Sequence, residues 1–465
     1  MAKPNIVFIL ADDMGYGDIG AFGNPDVNTP NLDRLASDGV CLTQNYAGSA
    51  VCAPSRAALM TGRYPHRTGA IDTLEGRGLD RLRLEEITIA DVLKEQGYTT
   101  GLFGKWHLGA LAPEYHPNSR GFDEFAGFRG GWSDYYLWRL DRNGTFQKAD
   151  GRYLTDVIGD ESVDFIKRHK SEPFFMHVTF NAPHYPLQVP DEEAKPIREK
   201  GKFTEALCVL YAMNTRMDKN IGRILDTLKQ CGIEENTLVV FSSDNGPCWG
   251  GQGEASTRRF NGNFNGSKGL VLEGGIRTPA IVRWPAGLPA GTVSNEMVHF
   301  VDWLPTLANI TGSKIPSDRT IDGRNILPHL NGNTDTSYPP RFWQWNRYTP
   351  VVTSNAAMRD GNWKLVRPPL WETMHVSKED LDIDNMLKYE PEKITDISRG
   401  PEPQRVVPQP PAPMLFNLKD DPFETTDLAN QHPEIVKRML NSLEEWFAEV
   451  DRERRLPSIS TKESG

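Results

Sequence analysis

The sequence predicts an α/β fold: a large, mostly parallel sheet sandwiched by helices, with a smaller C-terminal subdomain of antiparallel sheet plus helix. Three observations predict it. Short apolar runs at 6–10, 99–103, 174–180, 238–242 and 280–282 alternate with helical patterns, as in parallel strands joined by crossover helices. Four of these runs end in polar residues: Asp12-Asp13, Lys105-Trp106-His107, Asn181-Ala182-Pro183-His184 and Asp244-Asn245. After about residue 335 the character changes to proline pairs, aromatic stretches and a hairpin pattern. The division read from this is 1–335 for a catalytic domain and 336–465 for a C-terminal α+β subdomain.

The elements follow in chain order. The run 6–10 is the first strand. A short helix follows Cys52, with Pro54 suited to its first turn, Ala57 to Met60 continuing it and Gly62 suited to its end. A helix at 88–96 stops at Gly97 before the strand at 99–103. In 204–229, Leu207, Leu210, Met217, Ile221, Ile224, Leu225 and Leu228 recur at helical spacing, a core-packing stripe. Arg359-Asp360-Gly361-Asn362-Trp363-Lys364-Leu365-Val366 reads as a turn and strand of an antiparallel hairpin. Residues 401–413 are proline-rich and extended. The segment 434–452 is an amphipathic helix presenting Val436, Met439, Leu440, Leu443 and Phe447 on one face.

Composition bounds the function. The 465 residues carry a net charge of -10 with no compensating basic stretch, which excludes nucleic acid as the main partner. No run of about 18 apolar residues occurs, so no membrane span is expected. Five cysteines are too few for a disulfide framework and show no paired metal-ligand spacing. The first strand begins almost at once, without a charged-then-apolar leader. The expected protein is soluble, and cytoplasmic, or periplasmic or extracellular if a signal peptide has been removed.

The most informative run is Cys52-Ala53-Pro54-Ser55-Arg56-Ala57-Ala58-Leu59-Met60-Thr61-Gly62-Arg63. It sets a thiol at a helix start, where free backbone N–H groups and Arg56 favour an anion. A thiolate phosphatase loop needs arginine six positions after the cysteine, and that position is Ala58. The run matches C-x-P-S-R-x-x-x-x-T-G-R, the signature of the type I sulfatases, at every fixed position. The chain thus resembles an arylsulfatase-like sulfatase of the alkaline phosphatase superfamily. The resemblance implies that a formylglycine-generating enzyme converts Cys52 to Cα-formylglycine, which works as an aldehyde hydrate.

Open parallel sheets bind ligands beyond the carboxyl ends of their strands, so the four polar strand ends are expected to converge. Asp12, Asp13, Asp244 and Asn245 supply hard oxygen ligands, suited to Ca²⁺ or Mg²⁺ rather than zinc. With Cys52 they match the family's calcium site. Gly104-Lys105-Trp106-His107-Leu108-Gly109 matches the family pattern G-K-W-H-L-G, which implies Lys105 on a sulfate oxygen and His107 on a hydroxyl of the hydrate. His184 and Lys268 match the two remaining sulfate-binding cations. His184 is the candidate general acid, since histidine titrates nearest neutral pH. Arg56 completes the catalytic set with Cys52, His107 and His184. His177 and His299, inside apolar runs, read as core residues.

The predicted activity is calcium- and formylglycine-dependent hydrolysis of a sulfate ester on a sulfated saccharide. Alternatives are a small aryl sulfate hydrolase, a formylglycine-dependent phosphonate or phosphodiester hydrolase, and a non-catalytic binding protein with this fold. Two aromatic groups, Trp132, Tyr135, Tyr136 and Trp138, and Trp343 and Trp345, with Arg139, Arg142 and Arg347 nearby, serve either as sugar platforms or as packing between domains.

Overall fold

A computed structural model describes residues 3–333 and 338–457. The first strand, β1 (Asn5–Ala11), shows why the sheet is central: all seven residues are buried. Val7, Ile9 and Ala11 enter one core cluster, while Ile6, Phe8 and Leu10 enter another on the opposite face. A strand whose alternate side chains are both apolar must be covered on both faces.

The remaining strands of the sheet are β2 (Val40–Tyr46), β3 (Thr99–Lys105), β4 (Glu124–Phe128), β5 (Arg139–Arg142), β6 (Thr145–Lys148), β7 (Phe174–Thr179), β8 (Thr237–Ser243), β9 (Ala280–Arg283) and β10 (Thr292–His299). Their order is β10-β2-β9-β8-β1-β7-β3-β4-β5-β6. β8, β1, β7, β3 and β4 form a continuous parallel block. The expected strand at 280–282 is present as β9 and runs antiparallel to both β8 and β2. An apolar run encodes burial and not direction.

The long helix Glu205–Gln230 is capped by Thr204, whose hydroxyl accepts from Leu207 N. Its stripe is buried, with Leu225 partly so. It shares one face of the sheet with Leu154–His169 and Pro30–Ser37, and Cys52–Thr61, Ile89–Lys94 and Trp303–Thr311 cover the other.

The small sheet runs β11 (Arg341–Gln344), β12 (Ala356–Asp360), β13 (Trp363–Arg367) and β14 (Met414–Asn417), antiparallel throughout. The helix Pro433–Arg454 seals one face with Met439, Leu443, Trp446 and Val450 against Met358, Leu365 and Leu415. The other face sets Trp343, Ala357, Val366 and Phe416 against Tyr46, Val271 and Ile276 of the large unit. The expected boundary at 335/336 lies in 334–337, outside the described residues. Cys41, Cys52, Cys208, Cys231 and Cys248 are all free, and among the described residues no helix is long and apolar enough to cross a membrane.

One buried ionic knot ties the two sheets. Lys364 Nζ on β13 lies 2.9 Å from Glu273 Oε1 and 2.8 Å from Glu424 Oε1, all three side chains being fully buried. Removing one member leaves an uncompensated buried charge. Lys364→Ala is therefore expected to lower unfolding free energy by about 3–5 kcal/mol. Denaturant melts of both proteins check it, and an unchanged midpoint would refute this role for the knot.

Candidate active site

The helix Cys52–Thr61 lies under the carboxyl edge of the sheet with all ten residues buried. Four fixed positions of its motif, Ser55, Arg56, Gly62 and Arg63, have evident physical tasks. Ser55 Oγ accepts from Gly48 N at 3.1 Å and holds the entering loop. Gly62 ends the helix at φ 68, a left-handed conformation that costs a Cβ-bearing residue energy, and its N–H bonds to Ala58 O. Arg63 forms a buried pair with Glu86 at 3.2 Å. Arg56 donates from Nε to Asp244 Oδ2 at 2.9 Å and from Nη1 to Lys105 O at 3.1 Å. Its guanidinium thereby fixes one strand end against another.

Around Cys52 the strand ends meet. Asp12, Asp13, Cys52 and His184 each offer a donor atom, and these atoms lie within 4.8 Å of one another. Lys105 Nζ is 2.8 Å from Asp12 Oδ2, with both side chains fully buried. Lys268 Nζ is 2.7 Å from Asp13 Oδ1, and His184 Nε2 is 3.7 Å from Asp13 Oδ2. Asp244 Oδ1 accepts from Asp13 N at 3.2 Å, and Asn245 Nδ2 donates to Asp13 Oδ1 at 2.8 Å. Asp13 and His107 hold φ of 64 and 56, a strained conformation for residues with a Cβ that recurs at functional sites. Gly104, just before Lys105, has no room for a side chain: a Cβ would sit 1.9 Å from Thr179 O.

The electrostatics follow from burial and neighbours. Burial raises Asp12 to about 7 against the pull of Lys105. Asp13 is equally buried, but Lys268, His184 and Lys105 outweigh that and lower it. Burial pushes the Cys52 thiol up to about 12 and His184 down to about 3. His184 Nδ1 lies 2.7 Å from Tyr185 O. A carbonyl only accepts, so Nδ1 carries the proton and the Nε2 lone pair faces the carboxylates. His107 is lowered by burial and Lys105; its Nε2 is 3.4 Å from Thr73 O, and its buried Nδ1 has no partner.

Asp12, Asp13, Asp244 and Asn245 fit a hard divalent cation. Asn245 Oδ1 is buried without a hydrogen-bond partner, unusual for such an oxygen. Three buried carboxylates face three cations, Arg56, Lys105 and Lys268. The set is neutral as it stands, and a divalent cation would give it the positive charge that a sulfate requires.

Glu75 is absent from the sequence reading, and Tyr135 and Asn181 are given no catalytic-site role there. The single Tyr135 O–H is shared between the carbonyls of Asn181 and His184, at 2.9 and 2.8 Å, and so shapes the His184 loop. The Asn181 side chain is buried with neither polar atom partnered. Its place at a polar strand end was the available signal. Glu75 Oε1 accepts from Gly131 N and lies 3.9 Å from His107 Nε2, and nothing local marks it.

An aromatic strip leads away from the site. His184 stacks on Tyr185, Tyr185 meets Trp132 at 5.5 Å, and Trp132 meets Tyr389 at 5.6 Å. Trp132 and Tyr389 line a groove of about 820 Å³ that Glu75 and Gly130 also line. The other aromatics pack. Trp343 bonds to Ala47 O and Trp345 is 5% exposed, while Tyr135 and Trp138 are buried. Arg142 pairs with Glu161 on the outer hairpin and Arg347 with Asp72. His177 and His299 are core residues, as their apolar settings imply.

A sheet edge bearing a buried nucleophile position, clustered carboxylates and two lysines defines a hydrolase for anionic esters. Comparison with known proteins makes this specific. The sulfatase family model matches residues 4–313, and a model described as N-sulphoglucosamine sulphohydrolase, C-terminal, matches 262–404. N-acetylgalactosamine-6-sulfatase of Canis lupus familiaris is 36% identical over 385 residues, 75% of this chain and 70% of the relative. Arylsulfatase J of Mus musculus is 30% identical over 488 residues, 96% of this chain and 76% of the relative. The crystal structure of Ps i-CgsB aligns with a TM-score of 0.81 at 30% identity, covering 99% of this chain and 96% of that one. The same protein is also solved in complex with k-i-k-neocarrahexaose. The chain belongs to the sulfatase family and is a sulfuric ester hydrolase with the alkaline phosphatase-like fold.

Proposed function

We propose that the enzyme releases sulfate from a sulfated saccharide, using formylglycine made from Cys52 and a calcium ion held by Asp12, Asp13, Asp244, Asn245 and residue 52. The observation that carries this is the cluster of Asp12, Asp13, Cys52 and His184 donor atoms within 4.8 Å. The saccharide is supported by the aromatic strip and by relatives whose names specify N-acetylgalactosamine-6-sulfate chemistry and a neocarrahexaose complex.

A cation held by Asp12, Asp13, Asp244 and Asn245 and an aldehyde hydrate at residue 52 would together supply charge neutralisation and an activated hydroxyl. This chain's own residues do the rest. Lys105 and Lys268, whose ammonium groups point at the carboxylates, bind sulfate oxygens and screen them before attack. Arg56 is a positioning residue, holding Asp244 and the Lys105 backbone. His107, buried and neutral, orients the hydroxyls on residue 52. His184 turns Nε2 toward the reacting centre; sulfate beside it favours protonation there, and that proton passes to the leaving alcohol. Lys268, whose proton affinity is raised by Asp13, keeps the ammonium form throughout.

The test is free sulfate release from a panel of sulfated saccharides and aryl sulfates, with phosphonate and phosphodiester esters as controls. Saccharide sulfates are expected to lead; faster turnover of the phosphorus esters would overturn the assignment. Lys105→Ala and Lys268→Ala are each expected to lower kcat by about 10²–10³. Wild-type kcat in either variant would remove that lysine from the sulfate-binding set.

A further inference from the structure

Three fixed cations line the groove beyond Trp132: Arg129, Arg139 and Lys388. Lys388 is committed to Glu75 in a buried pair, and Arg139 reaches Glu392 at 3.4 Å. Arg129 differs. Among the described residues its guanidinium makes one hydrogen bond, from Nη1 to Ala112 O at 3.2 Å. The nearest carboxylate, Asp141, approaches Nε only to 3.8 Å and is already held by His116 at 3.1 Å and by Gly144 N at 2.7 Å. Yet the Arg129 side chain is only 20% exposed. A mostly buried guanidinium with distant compensation retains donors and charge for an anion.

Its position relates it to the reaction. Arg129 O accepts from His107 N at 3.0 Å, so its backbone abuts the site while its side chain lines the groove. The aromatic strip runs along the same groove toward Tyr389, which is 65% exposed. A sugar ring adjoining the sulfated one would lie against Trp132 and Tyr389 and bring its own substituents near Arg129.

We infer that Arg129 is a specificity-determining residue that binds a second anionic group, a sulfate ester or a uronate carboxylate, on the sugar next to the one being desulfated. This rests on the sulfated-saccharide reading above. Binding at a remote anion contributes to turnover only for substrates long enough to reach it.

The test uses three disaccharides that share the scissile sulfate, with a neutral, a sulfated or a uronate neighbouring sugar. The readout is the ratio of kcat/KM for each doubly anionic substrate to the neutral-neighbour one. In wild type that ratio exceeds one for the sulfate, the uronate or both, and the two arms identify the source. Arg129→Gln, which retains a donor for Ala112 O but no charge, should lower the ratio about tenfold, mainly through KM, and Arg129→Lys should lower it less. An unchanged ratio, or equal losses on all three substrates, would overturn the assignment. Calorimetric binding of the doubly sulfated disaccharide to Cys52→Ala protein, with and without Arg129→Gln, gives a readout independent of turnover. Charge-dependent binding without turnover of any substrate would sink the catalytic reading and leave Arg129 standing. Turnover with charge-independent binding would do the reverse.

Discussion

Cys52→Ala should abolish sulfate release, with a loss on the order of 10⁴-fold or more. The environment of the side chain requires it. Burial pushes the thiol up to about 12, so without a bound cation the protonated form dominates at neutral pH. An unconverted Cys52 is therefore a poor nucleophile, and Cys52→Ser should be equally inactive. Peptide mass spectrometry of active enzyme should show the thiol lost from residue 52, and specific activity should scale with that converted fraction. Most of the activity surviving in Cys52→Ala would rule out the mechanism.

Chelation should have the next largest effect. Three carboxylates and Asn245 Oδ1 present hard donors at two strand ends, and their charges are matched only by Arg56, Lys105 and Lys268. Stripping the divalent ion should lower turnover by about 10³-fold or more, because charge screening and nucleophile activation are lost together. Ca²⁺ or Mg²⁺ should restore it, and Zn²⁺, which prefers nitrogen and sulfur ligands, should not. Asp13→Asn should resist that rescue. The melting temperature should fall on chelation too, since an ion bound only by the native state stabilises it. Full activity after exhaustive chelation, with no metal detected by emission spectroscopy, would defeat the proposal.

The parts of this molecule legible in its sequence are those encoded locally. The Cys52–Arg63 run carries a helix start, a glycine stop and fixed polar positions within twelve residues. The polar pairs after β1 and β8 mark strand ends because β-branched and aromatic residues stop there. Other features depend on distant partners. β2 and β10 pair across some 250 positions, and neither has an uninterrupted apolar run: β2 carries Thr43, Gln44 and Asn45 and mixes buried with half-buried residues, and β10 exposes Val293. The direction of β9 is set by its neighbours. Trp343 and Trp345 resemble Trp132 in sequence context, yet the small sheet buries both against the large unit, while Trp132 stays half-buried in the groove. Trp446, within the span of the expected stripe, and Val450, one turn beyond it, complete the buried face of the last helix. Glu75 owes its setting to Gly131, 56 residues away, and to Lys388 on the helix Lys378–Tyr389, while Arg129 is placed by Ala112, Asp141 and His107, contacts that no local pattern marks.

The helix that bears Cys52 is buried over its whole length, and Cys52 itself is 2% exposed. No second protein can close around a residue so placed. Any enzyme acting on Cys52 must reach the chain before this segment packs, so modification and folding compete in time. The sheet above it joins β1 to β7 and β8 across more than 160 residues, and pairings of such separation form slowly. That delay keeps the segment open. If residue 52 is matured as proposed, faster synthesis or scarce modifying enzyme would yield folded, inert molecules, and the yield of active enzyme would be a matter of kinetics rather than of stability.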